Sequence, residues 1–325
     1  MKRREFLKQS AASAVAAGPA SRLFAQNTFR DPASSITPSV GESAGRFWPD
    51  GIRLAVSISM QFEAGAQAER GAESPFPKID PKYDDLPAAK WYEYGFKEGI
   101  PRLLDLFDRR RVKVTSHMVG AAVGRNPQLA KEIVQRGHEA SGHGQAWTPQ
   151  YSMSPEEERA SYEDSIQSIL RATGTRPIGF NAFWMRGTPH TLEILQDLAF
   201  IYHIDDLSRD EPFLVSVNGK PFVVVPYTLG MNDIVDYEAR NFSTEAYASE
   251  LKNEFDLLYA EAENRRRMMS VSAHDRIAGR PARAKVLEDF IIYAQKHPGV
   301  AFLRKDEIAR FALSSPLTLR EGGLA

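Results

Sequence analysis

The sequence contains no cysteine, no long hydrophobic segment and no excess of charge of either sign. Without cysteine, the chain has no disulfide bond, no cysteine-based zinc site and no thiol nucleophile, so any metal ion would need histidine and carboxylate ligands. The 41 Lys and Arg residues almost balance the 42 Asp and Glu residues, and no long basic run occurs. This balance argues against nucleic acid as the main ligand, because phosphate neutralisation requires a basic face.

The composition is that of a folded protein rather than a disordered one. Of the 325 residues, 42% are hydrophobic and 10% are aromatic. This length is ample for a well-buried core and suits either one large α/β barrel or two smaller domains. No internal repeat is visible, and no linker-like segment follows residue 50, which favours one domain.

The N-terminal segment has the parts of an export signal in the required order. Paired Arg3 and Arg4 come first, a small, uncharged run over 11–20 follows, and an Ala-ended cleavage site comes last. The paired arginines resemble the twin-arginine signal, whose route carries folded proteins. The run is too short and too rich in Ala to span a bilayer of ~30 Å, so we predict no stable membrane insertion. We predict a signal peptide over 1–25, a linker over 26–47 and a periplasmic location; the alternative is a basic N-terminus without a targeting role.

From residue 48 onward, short apolar runs alternate with helix-length amphipathic stretches. The runs are bounded by Gly, Pro or polar residues, which is typical of strands buried on both faces. This alternation predicts an α/β fold, and we expect a distorted (β/α) barrel of seven or eight strands in a single domain over 48–325. The Pro-rich segment 70–94 is predicted to be an irregular excursion near the active site. The predicted strands are 53–60, 112–119, 179–182, 200–204, 222–227, 268–273 and 300–303, and the predicted helices are 99–110, 127–136, 155–171, 189–197, 244–264 and 281–297.

The first predicted strand ends in two polar residues that share one face of the extended chain. Gln61 and Glu63 are two residues apart, so both point into the mouth of the expected barrel. Chemistry in such barrels takes place at the carboxyl ends of the strands. Glu63 is therefore a candidate base or ligand, and the alternative is a solvated glutamate in a loop.

Two histidines also stand at the ends of predicted strands. His143 ends a short strand and lies between Gly142 and Gly144, which allow the backbone to approach a bound group closely. His274 follows the apolar run 268–273. A single histidine is more often a surface or core residue than a catalyst, but two at strand ends support each other as catalytic candidates.

Other polar residues at strand ends are candidates for contacting the substrate. The alternative for the pair Asp205 and Asp206 is capping of a helix or turn, and the alternative for Arg186 is a surface charge. With Trp147, which follows His143 by four residues, the predicted substrate-binding residues are Gln61, Trp147, Arg186, Asp206, Tyr227, Asn232 and Arg276.

Together these segments resemble the polysaccharide deacetylase (NodB-homology) family, which hydrolyses non-peptide C–N bonds on a distorted (β/α) barrel. The resemblance covers roughly residues 48–312 and implies that fold and that chemistry. Members typically have carboxylates after the first strand and two histidines at i and i+4, which provide a base and a divalent-metal site. The matching segments are Gln61–Ala64, Gly137–Gly144, Gly174–Phe180 and His274.

The sequence departs from this family pattern in both metal-binding motifs. In one register of the first motif Gln61 takes the base position and Glu63 the metal position; in the other, Glu63 takes the base position and Ala64 the metal position. Trp147 stands where the second histidine belongs, four residues after His143. Because Trp cannot ligate zinc, the resemblance implies no complete metal site and no cofactor, while a divalent metal at Glu63 and His143 stays open.

The same departures occur in the metal-independent allantoinase-like branch of the family, which this chain resembles more closely. The stretch 181–186 differs from the pattern of that branch, so the resemblance leaves the substrate unidentified. The features shared with the branch are Trp48-Pro49, Tyr94-Gly95, His143 with Trp147, Asp205-Asp206, Val225–Thr228, Asn232-Asp233 and His274–Pro281.

The expected chemistry is amide hydrolysis without a metal ion. Such hydrolysis needs an activated water, stabilisation of a tetrahedral oxyanion and a proton for the leaving nitrogen. We expect Glu63, together with His143, to activate the water and His274 to protonate the nitrogen. The groups expected to stabilise the oxyanion are Arg186, Arg276 and the indole N–H of Trp147.

The expected substrate is a small cyclic amide or ureide. Such a ring is more electrophilic and more strained than a plain acetamide, which favours it over a polymer when no metal assists. One alternative is a periplasmic carbohydrate N-deacetylase acting on a cell-wall or capsular saccharide. A second alternative is a catalytically silent barrel that binds sugar or ureide. The expected partner is thus a small molecule or a saccharide, and a homo-oligomer stays open.

Overall fold

The computed structural model of the chain describes residues 47–80 and 82–322. The signal peptide predicted over 1–25 and all but the last residue of the linker predicted over 26–47 lie outside these residues, so both stay predictions. Among the residues described, no helix is long and apolar enough to cross a membrane.

Strands and helices alternate along the chain, as the sequence pattern predicts. The strands are β1 (Leu54–Phe62), β2 (Thr115–Met118), β3 (Glu139–Gly142), β4 (Gly179–Phe180), β5 (Tyr202–His203), β6 (Phe213–Val217), β7 (Lys220–Val224), β8 (Met268–His274), β9 (Val300–Phe302) and β10 (Leu319–Arg320). The helices are α1 (Leu86–Tyr94), α2 (Ile100–Arg110), α3 (Gly120–Arg125), α4 (Pro127–Gln135), α5 (Pro155–Thr173), α6 (Thr191–Asp197), α7 (Thr244–Glu261), α8 (Pro281–Ala294) and α9 (Lys305–Ser314), and π-helical turns cover Gly95–Gly99 and Val235–Ala239.

All strands of the described part belong to one sheet. Their order is β10-β6-β7-β5-β4-β3-β2-β1-β8, with β9 also paired to β1. Every ladder is parallel except that between β6 and β7, which form an antiparallel hairpin. Strands β1 to β5, β7 and β8 form the wall of the distorted (β/α) barrel that the sequence predicts.

The barrel closes along a seam between the segment 226–232, which follows β7, and strand β8. Here Ser270 Oγ donates a hydrogen bond to the carbonyl oxygen of Pro226 at 2.5 Å, and the backbone N–H of Ser272 donates to the carbonyl oxygen of Met231 at 2.9 Å. An isolated bridge also pairs Asn232 with Ser272. A loop rather than a full ladder therefore completes this side of the wall.

Strand β1 shows how the sequence divides its side chains between the two faces of the wall. Leu54, Val56 and Ile58 join the large apolar cluster that includes residues of α2, α7 and α8. The alternate residues Ser59 and Gln61 point to the opposite face, which is the barrel interior, and both are buried. The interior therefore has polar side chains along β1, and they lead to the mouth of the barrel.

Helix boundaries follow local sequence signals where capping residues are present. Ser154 is the N-cap of α5: its hydroxyl accepts from the N–H of Glu157 at 3.2 Å, while the Glu157 carboxylate accepts from the N–H of Ser154 at 2.8 Å. Gly174 ends this helix with a φ of 73°. The cap and the terminal glycine thus fix both ends of the longest helix in the described part.

The predicted excursion over 70–94 is too long at its C-terminal end. Helix α1 begins at Leu86, because the Asp85 carboxylate accepts from the N–H of Ala88 at 3.1 Å and Pro87 occupies the first turn. Proline was counted as a loop signal, but it also favours the first turn of a helix. The sequence analysis also missed the elements α3, α9, β6 and β10.

Candidate active site

The carboxyl ends of β1, β3 and β8 meet at the mouth of the barrel and bring the three predicted catalytic residues together. Glu63 follows β1, His143 follows β3, and His274 ends β8; the side chains of all three are almost completely buried. A cavity of about 30 Å³ lies between them. Its other lining residues include Gln61, Trp147, Asn181, Trp184, Met185 and Asn232.

The Glu63 carboxylate is the centre of this cluster. Its Oε2 accepts a hydrogen bond from Arg276 Nη1 at 2.6 Å, and its Oε1 lies 3.4 Å from His143 Nε2 and 3.6 Å from His274 Nε2. Burial would raise the pKa of Glu63, but the charges of His274 and Arg276 hold that pKa far below its usual value. Glu63 is therefore an anion throughout the ordinary pH range.

Arg276 is held in a buried slot behind Glu63 rather than in the cavity lining. Its side chain is only 2% exposed, and its guanidinium carbon lies 4.9 Å from the ring centre of Trp91 and 4.7 Å from that of Tyr92. Such contacts with aromatic faces stabilise a desolvated cation. Burial alone would lower the pKa of Arg276, yet the negative charges of Glu63 and Asp275 raise it, so the guanidinium stays charged.

Asp275 fixes the backbone on which Glu63 stands. One carboxylate oxygen accepts the backbone N–H of Glu63 at 3.0 Å and that of Ala64 at 2.8 Å. The π-helical turn packs directly on this loop: a Cβ added to Gly95 would lie 2.6 Å from the Cβ of Ala64, and one added to Gly99 would lie 1.9 Å from the carbonyl oxygen of Asp275. Only glycine permits this approach, which keeps α1 and its aromatic side chains against Arg276.

His274 is oriented by a buried carboxylate. Its Nδ1 donates a hydrogen bond to Asp233 Oδ1 at 2.6 Å, and its backbone N–H donates to Asp233 Oδ2 at 2.8 Å. Burial would lower the pKa of His274, but the negative charges of Asp233 and Glu63 raise it above its ordinary value. His274 lines the cavity. Its raised pKa means that its Nε2 has an increased tendency to carry a proton.

His143 is oriented by a backbone carbonyl instead. Its Nδ1 lies 2.7 Å from the carbonyl oxygen of Asn181, which can only accept, so Nδ1 is the donor. The side chain of Asn181 in turn donates to Asp205 Oδ1 at 2.8 Å. The partner of His143 is thus a neutral carbonyl, whereas the partner of His274 is a carboxylate.

Two predicted substrate-binding residues, Gln61 and Tyr227, form a hydrogen-bonded chain across the seam. Gln61 Nε2 donates to the hydroxyl of Tyr227 at 2.8 Å, and that hydroxyl donates to Ser272 Oγ. Gln61 Oε1 is buried without a hydrogen-bond partner among the described residues. Asn232 also lines the cavity, with its amide donating to the carbonyl oxygen of Thr228 at 3.3 Å. A bound water or substrate donor would satisfy the free oxygen of Gln61.

The structure does not bring all the predicted residues to the cavity. Trp147 lines it, with its ring edge-on to that of His143 and 5.4 Å between centroids. Asp206 instead accepts the backbone N–H of Ser208 at 2.8 Å, so it caps a turn outside the cavity, which is the alternative noted for it. Arg186 is exposed and lies outside the cavity lining.

Comparison with known proteins gives consistent relatives. A solved structure of a Pseudomonas aeruginosa protein described as a polysaccharide deacetylase has 32% sequence identity and a TM-score of 0.78, covering 83% of this chain and 95% of that one. A family model of polysaccharide deacetylases matches residues 80–201. The chain belongs to the polysaccharide deacetylase family. As a member, it is an amide hydrolase that acts on non-peptide C–N bonds.

Two further relatives are an allantoinase and a second protein named as a polysaccharide deacetylase. PuuE allantoinase has 29% identity to this deacetylase-family chain and a TM-score of 0.79, covering 89% of this chain and 99% of that one. A Schizosaccharomyces pombe protein named as a polysaccharide deacetylase has 26% identity over 293 residues, covering 81% of this chain and 91% of that protein. Both names agree with hydrolysis of a C–N bond and leave the substrate of this chain open.

The donor set of this deacetylase-family site does not fit the divalent metal used by other members. Trp147 replaces the second histidine, and Arg276 Nη1 lies 2.6 Å from the carboxylate of Glu63, where its charge would repel a cation. In residues 47–80 and 82–322, no group of three His, Cys, Asp or Glu side chains is arranged to hold a metal ion. The expectation that no cofactor is needed stays a prediction.

Sequence reasoning missed the residues that orient the catalytic ones. Asp233 and Asp275 were not assigned to the site, although each directly neighbours an assigned residue, Asn232 and His274. Both carboxylates are buried, and an aspartate beside a strand end resembles a turn-capping residue in sequence. The aromatic residues of α1 were missed because the whole segment was predicted to be irregular.

Proposed function

We propose that this deacetylase-family enzyme hydrolyses a C–N bond of a small cyclic amide or ureide without a metal ion. The observation that carries the proposal is the shared carboxylate of Glu63, which contacts Arg276 on one oxygen and faces His143 and His274 on the other. This arrangement contains a fixed anion, an acid and a base around one small cavity. It supplies the groups that amide hydrolysis requires.

The partners of the two histidines assign their roles. In its neutral form His143 has its proton on Nδ1, so Nε2 presents a lone pair to the cavity. His274 donates from Nδ1 to Asp233, and its raised pKa favours a second proton on Nε2. We assign His143 as the general base and His274 as the general acid.

Glu63 orients the water instead of removing its proton. A carboxylate whose pKa is held far below its usual value accepts hydrogen bonds but is a weak proton acceptor. Its Oε1, which is buried without a hydrogen-bond partner in the described part of the chain, is free to accept one from the attacking water. This role differs from the expectation from sequence, in which Glu63 itself shares in removing the proton.

The reaction then follows from these positions. The oxygen of the water attacks the carbonyl carbon while His143 Nε2 takes one of its protons. Protonated His274 gives its Nε2 proton to the leaving nitrogen as the C–N bond breaks. The negative charge of Glu63 also stabilises protonated His274, because Glu63 Oε1 lies 3.6 Å from His274 Nε2.

The indole N–H of Trp147 is our candidate for stabilising the oxyanion. Trp147 lines the cavity, and its indole nitrogen has no hydrogen-bond partner among the residues that the structure describes. Arg276 lies outside the lining, with its Nη1 bound to Glu63 and Asp275. Arg186 is outside the lining as well. The two arginines that the sequence suggested are thus less suitable oxyanion donors than Trp147.

The size and walls of the cavity support a small, flat reacting group. Trp147, Trp184 and Met185 line the cavity, and aromatic lining residues suit a planar ring. A cyclic ureide also needs less activation than an acetamide, since ring opening relieves strain. The 29% identity to an allantoinase, over 89% of this chain, supports the same substrate class.

A second candidate is carbohydrate N-deacetylation. It is favoured by the 32% identity to a protein described as a polysaccharide deacetylase and by the export signal predicted from sequence. It is disfavoured by the donor set, because an unstrained acetamide is less electrophilic and usually requires a metal to activate it. The two candidates differ in substrate and in their response to a chelator.

A hydrolysis screen of the purified full chain distinguishes the candidates. Allantoin, hydantoin and dihydrouracil are compared with N-acetylglucosamine oligomers, each with and without EDTA, and products are measured by mass spectrometry. We expect ring opening of at least one cyclic compound, unchanged by EDTA. Release of acetate from the oligomers alone, or activity that EDTA abolishes and zinc restores, would contradict the proposal. Binding of these compounds without turnover would favour the silent barrel.

We also propose that the protein is exported to the periplasm through its paired arginines. Replacement of both Arg3 and Arg4 by Lys should leave the precursor in the cytoplasm, because the export route requires the pair. Fractionation of cells expressing the two versions measures this directly. Equal periplasmic recovery of both versions would rule the proposal out.

A further inference from the structure

Three places in the described chain have two consecutive residues in the left-handed backbone region. At the first two, Asp50-Gly51 and Asn218-Gly219, the φ values are 55° and 75°, and 49° and 74°. Asp-Gly and Asn-Gly are the pairs that such turns favour, since glycine has no Cβ and Asn and Asp tolerate this region. At the third, Trp184 and Met185 have φ values of 51° and 57°. Large side chains adopt this conformation only with strain.

The surrounding structure holds the two residues that come before this unfavourable turn. Asp205 accepts the backbone N–H of Ala182 with both carboxylate oxygens at 3.0 Å, and the buried Gln150 accepts that of Phe183. Across the turn, the N–H of Arg186 donates to the carbonyl oxygen of Phe183 at 3.0 Å. Strained residues persist where neighbours determine the backbone in this way, and they concentrate at functional sites.

The strained turn places its side chains on the wall of the active-site cavity. Ala182, Trp184 and Met185 all line it, as does Trp147. Phe183 packs edge-on against Trp147, with 4.5 Å between ring centroids. By contrast, the Asn218-Gly219 turn is exposed at the tip of the β6–β7 hairpin. The chain therefore has residues that favour the left-handed conformation at the hairpin and residues that disfavour it at the cavity.

We propose that Trp184 and Met185 determine specificity, and that the strained turn exists to hold them as a rigid apolar wall that admits a flat ring and excludes a bulky acylamino sugar. This inference rests on the proposed function, because it names the part of the site that selects the cyclic substrate. A wall already held in position loses little conformational freedom on binding. A relaxed turn with small residues would fold more easily and discriminate less.

The test is the double substitution Trp184→Asn with Met185→Gly, which installs the favoured pair. We expect its Tm to rise by about 2–6 °C, because the strain is removed. We expect kcat/KM for the cyclic ureide that the wild type hydrolyses best to fall at least tenfold, mainly through KM. Binding of N-acetylglucosamine, measured by calorimetry on both proteins, should become stronger. Met185→Gly alone gives a milder version if the double variant folds poorly.

Arg111→Gly is the matched control, since Arg111 is exposed and has a φ of 55° at the end of α2. It should raise Tm in the same way and leave kcat/KM and sugar binding unchanged. A double variant that is no more stable than the wild type would overturn the strain argument, and one with unchanged selectivity would overturn the specificity role. If the wild type hydrolyses no cyclic ureide, the proposed function itself fails, whereas the Tm comparison still tests the turn.

Discussion

The mouth of the barrel, where the strands end, and its floor, where they begin, each bury a carboxylate near a cation, yet the two carboxylates differ in their tendency to be protonated. Strand β3 runs between the two places: Glu139 begins it and His143 follows its end. At the mouth, Arg276 contacts Glu63 at 2.6 Å. At the floor, Lys305 is fully buried, and in the described residues it forms no ion pair with Glu139; its Nζ donates only long hydrogen bonds, of 3.4 and 3.3 Å, to Ser57 and Ser270.

The difference between the two places appears in the protonation of the groups. Burial raises the pKa of Glu139 to about 7, and burial lowers that of Lys305 to about 7. At the mouth the pKa of Glu63 is held far below its usual value instead. Burial alone therefore does not decide the charge of a carboxylate; at the mouth the neighbouring charges of His274 and Arg276 keep Glu63 ionised. Glu63 at the mouth therefore stays ionised near pH 7, while Glu139 at the floor can take up a proton there.

The largest expected effect separates the two carboxylates by activity. Glu63→Gln should lower kcat by on the order of 10²–10⁴, because it removes the anion that orients the water and supports protonated His274. Glu139→Gln should leave kcat within about threefold, since Glu139 lies at the opposite end of β3. Steady-state kinetics on both variants, with melting curves to confirm folding, checks the contrast. Similar losses in both variants would remove the distinction between mouth and floor.

The two buried cations should differ in their contribution to stability. Arg276→Met is expected to lower the free energy of unfolding by about 3–5 kcal/mol, because Glu63 would remain buried without its partner. Lys305→Met should change it by less than about 1 kcal/mol or increase it, since Glu139 can take up a proton. Urea unfolding at pH 7 measures both. A strongly destabilised Lys305→Met would indicate that the floor is paired as firmly as the mouth.

The pH dependence of stability should show the raised pKa of Glu139. The fold favours protonated Glu139, so its stabilising contribution is complete below the unfolded value of 4.5 and is lost as pH rises to about 7. Wild type should lose on the order of 2–3 kcal/mol from this group across that window, and Glu139→Gln should not. Unfolding curves between pH 4.5 and 7, repeated with Lys305→Met, isolate the effect. Parallel curves for wild type and Glu139→Gln would contradict it.

The smallest expected effect concerns His274. Its raised pKa comes from Asp233 and Glu63 against the effect of burial, so Asp233→Asn should shift the basic limb of the pH–rate profile to lower pH. The stability that protonated His274 contributes, which is lost as pH rises through its folded pKa, should decrease as well. Nitrogen NMR of the ring gives the pKa directly. An unshifted pKa would assign the effect to Glu63 alone.

The sequence was sufficient to predict the residues that meet at the mouth. Glu63, His143 and His274 each follow or end an apolar run, and the carboxyl ends of parallel strands converge in a barrel, so their proximity follows from the pattern. The pattern does not contain the partners of these residues. Arg276 contacts Glu63 from outside the cavity lining, and its position depends on aromatic residues of α1, 184 positions earlier in the case of Tyr92.

The floor of the barrel was not predictable for a related reason. Lys305 begins α9, which the sequence analysis missed, and a lysine at the start of a helix resembles a surface residue. The strained pair Trp184 and Met185 was not predictable either, because nothing local favours a left-handed turn there. In both cases distant parts of the fold override the local preference: Ser57 and Ser270 surround Lys305, and Asp205 holds the strained turn.

The π-helical turn over Gly95–Gly99 makes the length of its helix more critical than its composition. Deleting one residue from this turn would restore ordinary α-helical spacing and rotate the preceding segment by about 100°. Trp91 and Tyr92 would then leave the guanidinium of Arg276, although no residue in contact with it had been exchanged. A chain of this design can accept many exchanges along the solvent face of α1, but a single-codon insertion or deletion between its aromatic residues and Gly99 would release the cation that holds Glu63.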